Sequence, residues 1–248
     1  NGLVAPQALE EALSSGEIVL LGELHDNNDH HRLQAQVVAL LQARGLRPGV
    51  VFEQLRSDVQ GAIDTAGGNG SVSLNDFKTM VGWGQSGWQN YDYDLLFDVV
   101  FEGNLPIYAG DVPRVAMMKA AKQGEGALAA GERARLKLDV PLGAKLDALS
   151  LDEIHAAHCG LMPRQALAGM AFAQRYRDAV LADTVLKARS EQGRAVLIAG
   201  DGHVRRDRGV PWYIAQRAPG QQVVAVLLME VREGESDPAG YVPRDPDG

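Results

Sequence analysis

One cysteine in 248 residues, Cys159, leaves no intrachain disulfide, no four-cysteine zinc site and no cluster held only by thiolates. Gly160 follows it, so the Cys-x-x-Cys-His needed for covalent haem attachment is missing too. Long apolar runs are also absent: the longest, Val223 to Met229, is strand-sized and far short of the roughly 20 residues of a membrane-spanning helix. Positive charge is in deficit. With 24 Lys+Arg against 32 Asp+Glu the net charge is −8, which argues against a nucleic-acid partner, because such binding needs basic stripes. No internal repeat is visible. Asn1-Gly2-Leu3 carries neither Met nor a charged-then-apolar leader, so any membrane anchoring would depend on a leader removed earlier. The last residues, Glu233 to Gly248, are rich in Pro, Gly and Asp and read as a solvated end.

What remains is an ordinary globular composition, 46% hydrophobic and 23% charged, long enough for one large domain with a small appendage. Short apolar runs at Ile18–Leu21, Val50–Phe52, Pro106–Ala109, Val196–Ala199 and Val223–Met229 read as buried parallel strands. Between the first two, Asp29 is placed to cap a helix whose Leu33, Val37, Leu40 and Leu41 recur at helical spacing before Gly45 and Pro48 stop it. That makes a strand–helix–strand unit, and so a mainly parallel sheet flanked by helices. Asp64 to Asp94, with many glycines and Trp83, Trp88, Tyr91 and Tyr93, reads as a long surface excursion beside a site. From about Val115 to Gln192 no strand pattern occurs. The expected organisation is therefore a core of residues 1–114 and 193–248 and a helical insert of 115–192, its last helix running from Pro163 to about Gln192.

Four strands end in chemistry-bearing residues: Gly22-Glu23-Leu24-His25-Asp26, Phe52-Glu53-Gln54, Gly110-Asp111-Val112-Pro113-Arg114 and Gly200-Asp201-Gly202-His203. The carboxyl ends of parallel strands form the binding edge of an open α/β sheet, so these groups can converge. Glu23, His25, Glu53, Arg114 and His203 are the candidate catalytic set. As a metal site, His25, Glu53 and His203, with Asp201 as a further ligand, would hold a divalent ion. Without metal they offer an acid–base pair and an anion-holding arginine. No His-Glu-x-x-His is present. His30 and His31 fall in the first turn of the first helix, where at most one is expected to point into the site. His155 and His158 share a helical face at i, i+3, as two ligands or carboxylate donors. Cys159 beside them reads as a small buried hydrophobe rather than a nucleophile.

Gly22-Glu23-Leu24-His25-Asp26-Asn27 with His30-His31, and Gly200-Asp201-Gly202-His203-Val204 late in the chain, resemble the ChaN-like haem-binding uptake family. That family belongs to a superfamily including Tiki proteases, TraB and erythromycin esterases, whose shared signature is two Gly-x-x-His motifs with a Glu and an Arg. Gly22 to His25, Gly200 to His203, Glu53 and Arg114 match it here. The likeness continues through Trp88-x-x-Tyr91, His158-Cys159-Gly160, Ala173-Gln174-Arg175-Tyr176-Arg177-Asp178 and Gly209-Val210-Pro211. It implies a three-layer α/β/α core with a helical subdomain, noncovalent haem binding and a role in bacterial iron acquisition. It also implies a cell-envelope location, periplasmic or at the outer membrane, often as a lipoprotein.

On that expectation the insert supplies an apolar slot through Leu161, Met162, Leu167, Met170 and Phe172. Tyr176, flanked by Arg175 and Arg177, is a hard oxygen ligand suited to ferric iron, with Tyr91 and Tyr93 as alternatives. A porphyrin has two apolar faces, so a two-fold homodimer through the insert is expected to cover it, with His155 or His158 at a propionate. The alternative reading is a metal-dependent hydrolase built on the sheet-edge cluster, with Glu23 as base and Arg114 on an oxyanion.

Overall fold

A computed structural model describes residues 4–66, 72–157, 159–161, 163–235, 237, 240 and 241. The apolar runs form five strands: β1 (Ile18–Glu23), β2 (Gly49–Arg56), β3 (Ile107–Asp111), β4 (Ala195–Gly200) and β5 (Val223–Leu227). All neighbours pair in parallel, in the order β3-β2-β4-β1-β5. β1 and β2 are therefore not adjacent, as a simple strand–helix–strand unit would have them. β4, which arrives much later in the chain, lies between them.

Alternation along each strand sends side chains into two separate cores. Ile18, Leu20, Val51, Leu197 and Ala199 face one layer; Val19, Leu21, Val50, Phe52, Val196 and Ile198 face the other. The first layer is made by α6 (Arg114–Gln123), α9 (Arg164–Gln192) and α10 (Val210–Arg217). The second is made by α1 (Pro6–Ser15), α2 (Asn28–Ala43), α3 (Gln60–Ala66), α4 (Leu74–Met80) and α5 (Asp94–Glu102). The result is the three-layer α/β/α arrangement. Between β3 and β4 the chain adds α7 (Ala130–Leu136) and α8 (Ala144–Ala157) to α6 and α9. α9 serves both regions: its later turns bury Ala179, Leu181, Ala182, Val185 and Ala188 over the sheet, and Gly193, in the left-handed region at φ 77°, ends it.

The helix after β1 differs in detail from its pattern. Asn27, not Asp29, is the cap, its side chain accepting from the Asp29 and His30 amides at 3.0 and 3.2 Å. The buried face of α2 is His30, His31, Gln34, Ala35, Val38 and Leu41, while Leu33 stays exposed. Polar residues take the inward positions because the sheet edge gives them partners there. The excursion before α5 also turns inward: Trp83 and Tyr93 are buried in the second core.

Candidate functional site

β2 loses register with β3 between Phe52 and Arg56, where four residues of β2 advance against two of β3, from Ala109 to Asp111. A bulge of this kind re-aims side chains at the end of a strand. Here it delivers Glu53 and Gln54 into the space above the carboxyl ends of β1 and β4. Gly200 keeps that space open, since a Cβ there would lie 2.8 Å from the His25 ring.

Glu53 is the hub. Its Oε2 accepts from the Gly200 amide at 2.6 Å, and its Oε1 accepts from Arg177 Nη2 at 2.6 Å and from His203 Nε2 at 3.2 Å. Arg177 also grips Asp111 through Nε and Nη2 at 2.9–3.1 Å, so one guanidinium joins two carboxylates. The other nitrogen of His203, Nδ1, lies 2.6 Å from Asp178 Oδ1. Carboxylates only accept, so both imidazole nitrogens of His203 carry protons. Burial alone would lower the His203 pKa, but Glu53 and Asp178 outweigh it and push the imidazole up to about 10. Burial would likewise raise Glu53, yet His203 and Arg177 hold it well below the usual carboxylate range. For Asp178 burial prevails and the carboxyl is raised.

Glu23 organises the other half. Its Oε1 accepts from Gln54 Nε2 at 3.0 Å and from the Tyr93 hydroxyl, and lies 2.9 Å from His25 Nδ1. Tyr93 is shifted upward by burial and by the Glu23 charge. His31 stacks on Tyr93 with ring centroids 4.0 Å apart and brings Nε2 to 3.6 Å from Glu23 Oε2, while His30 accepts from the Leu24 amide at 3.0 Å and braces the turn. His25 stands apart from these closed groups. Its side chain is 34% exposed, its ring meets Trp88 edge-on, and its Nε2 lies 4.0 Å from Glu53 Oε1, beyond hydrogen-bond reach. Burial lowers its pKa, but the bond to Glu23 and the Glu53 charge reverse this and raise it.

Glu23, His25, Glu53 and His203 thus converge, whereas Arg114 and Asp201 do not. Pro113 turns the chain outward and Arg114 opens α6 in solvent, without an ion pair among the described residues. The cation beside Glu53 is Arg177. Asp201 is exposed, because the turn Asp201–Val204 carries His203 inward two residues later. As for the metal set, His203 has a carboxylate at each nitrogen, Glu53 at 3.2 Å and Asp178 at 2.6 Å. Among the described residues no group of three His, Cys, Asp or Glu side chains is arranged to hold an ion. The sequence reading missed Asp178 and Gln174, whose amide lies 3.3 Å from His203 Nδ1. Gln174, Arg177 and Asp178 share one face of α9 at i, i+3, i+4, a polar stripe on an alanine-rich helix.

Of the residues expected at haem, Tyr176 has its ring buried between α9 and α7, where burial and the nearby Glu132 raise its pKa. Its hydroxyl makes no hydrogen bond among the described residues, and it is not one of their buried polar atoms left without a partner. Arg175 donates to the Tyr213 hydroxyl and to the Val140 carbonyl. His155 is half-buried near the end of α8, and His158 and Met162 lie outside the described residues.

An all-parallel α/β/α protein with a buried carboxylate–imidazole–guanidinium centre on its sheet edge is the class that fold and site define. The family described as "Haem-binding uptake, Tiki superfamily, ChaN" matches residues 9–214. The chain belongs to that family, and a haem-binding role in haem and iron acquisition follows from the membership. The fold agrees with a solved structure described as "Cofacial heme binding to ChaN of Campylobacter jejuni", at a TM-score of 0.76 and 22% sequence identity, over 94% of this chain and 88% of that one. No curated protein sequence matches the chain.

Proposed function

We propose that the chain carries haem noncovalently for iron acquisition at the cell envelope, and that haem draws two copies into a homodimer through residues 115–192. The family match over residues 9–214 carries this reading. The Tyr176 hydroxyl, without a hydrogen bond among the described residues, supports a phenolate on ferric iron because it has no protein partner to give up. His155 or His158 would then meet a propionate, and a removed leader would supply any membrane anchor. Haemin titration followed at the Soret band is the test. We expect saturable binding at micromolar haem; absence of any saturable change overturns the reading. Tyr176→Phe is expected to lose the charge-transfer features of a phenolate–iron bond and about tenfold or more in affinity. An unchanged spectrum there would transfer the ligand role to half-exposed Tyr91.

A second reading, acid–base hydrolysis at the sheet edge, is favoured by one observation: His25 has Nδ1 fixed by Glu23, while its Nε2 makes no hydrogen bond among the described residues and lies 4.0 Å from Glu53. A divalent ion there has no donor set among the described residues. A stoichiometric metal surviving dialysis, found by elemental analysis in protein without haem affinity, would restore the metal-dependent version.

A further inference from the structure

A cleft of about 460 Å³ lies where the insert meets the core, between α8, α9 and the turn that carries His203. Its size is within the range of small-molecule sites, about 300–1,000 Å³. Leu142, Ile154, Ala171 and Leu227 give it apolar walls. Its charged groups are unequal. Arg205 and Arg208 are closed by Glu153 and Asp207. Asp178 is matched by His203, and Asp201 stands exposed at the rim. Arg175 is different: its Nε donates to the Tyr213 hydroxyl at 2.9 Å and its Nη2 to the Val140 carbonyl at 2.7 Å. Both acceptors are neutral, and no carboxylate pairs with it among the described residues. A guanidinium has five N–H donors, so this one is held in a fixed orientation with its charge uncompensated and donors to spare.

We propose that this cleft receives the edge of a flat apolar molecule bearing carboxylates, with Arg175 anchoring one carboxylate. The inference rests on the haem reading, under which the carboxylate is a propionate. The apolar walls take the ring edge, and the two neutral acceptors prepay the ordering of the arginine, so a ligand carboxylate meets a preformed partner. A charge-assisted bond of this kind contributes more than a neutral one.

The test compares haemin with haemin dimethyl ester, whose carboxylates are blocked, by Soret titration of the full chain. We expect the wild-type protein to prefer haemin by about tenfold. In Arg175→Met that preference is expected to fall to about one, with the affinity for the ester little changed. Ala171→Phe, which fills the cleft and leaves Arg175 in place, is expected to weaken both ligands about tenfold. A haemin preference that survives Arg175→Met, or an Ala171→Phe protein that binds as wild type, overturns the cleft assignment while leaving haem binding intact. Protein that binds neither ligand overturns the haem reading itself. Where Arg175→Met does not fold, the wild-type ligand ratio together with Ala171→Phe decides: no preference, or no loss on filling the cleft, sinks the proposal.

Discussion

The sheet edge and the outer insert treat polar groups in opposite ways. At the edge, Glu23, Glu53, Gln54, Asp178 and His203 are all at most 4% exposed, yet Glu53, Asp178 and His203 pair with one another and with Arg177, and Glu23 accepts from Gln54 and Tyr93 with His25 beside it. On α8 no side chain is buried among the described residues, while Val115 and Met118 of α6 and Leu161 present apolar surface to solvent at 80, 56 and 86%. The first region encloses charge and the second exposes hydrocarbon. Enclosed charge fixes one geometry, because removing any member strands another in a low dielectric. Exposed hydrocarbon fixes none and is the surface that a porphyrin or a second copy would cover. In a haem carrier the cargo site must open and release, so the rigid network belongs beside it rather than in it.

The sharpest way to break this contrast is to remove Arg177. Arg177→Met takes the shared cation from Glu53 and Asp111, leaving Glu53 only His203 and the Gly200 amide, and the expected loss is about 3–5 kcal/mol of folding stability. For a chain of this size that is on the order of 10 °C in Tm, read by thermal unfolding. Arg205→Gln, at a half-exposed pair facing α8, is expected to cost less than about 1 kcal/mol. Equal losses would erase the distinction between the regions. Next in size is a pH effect. The folded His203 pKa, about 10, lies above its ordinary value of 6.5. Its contribution to stability is therefore complete below pH 6.5 and is lost as pH rises toward 10. Urea midpoints should fall across that window by the equivalent of a few kcal/mol, and His203→Gln should flatten the fall while lowering stability at pH 7.

Much of the edge was legible in the sequence because buried parallel strands are continuous apolar runs, and a Gly-x-x-His or Phe-Glu-Gln following one has few ordinary reasons to be there. Strand order was not legible. The neighbour of β1 is chosen by packing across the whole sheet, so β4 between β1 and β2 has no local signal. Arg114 attracted the arginine role because it follows β3 directly. Arg177 supplies it from α9, where only its spacing with Gln174 and Asp178 marks the inward face. The apolar pattern of α2 misled for a related reason: His30, His31 and Gln34 face inward because Glu23 and the strand ends provide partners that a hydropathy pattern does not contain. Tyr93 and Gln54 complete the Glu23 shell, and both depend on the chain excursion and the bulge bringing remote residues together.

The smallest expected effect on folding falls on the exposed hydrocarbon, where the comparison sharpens. Met118 and Val115 sit one turn apart on α6 and share a face at i, i+3, both open to solvent. Replacing Met118 by Glu removes no buried contact, so thermal unfolding should move by less than about 0.5 kcal/mol. If the haem-linked homodimer sets this face at its two-fold axis, the two new carboxylates lie together there, since a symmetric interface applies the same patch of both copies. A like-charge pair desolvated in that way costs several kcal/mol of association. Sedimentation of the haem-loaded Met118→Glu protein is therefore expected to show a monomer where the wild type shows a dimer, with the monomer's stability unchanged. A dimer that persists in the variant would assign the interface to another face of the insert. Loss of the dimer together with a large fall in Tm would mean that this surface is part of the folded core, and the contrast between enclosed charge and exposed hydrocarbon would fail at α6.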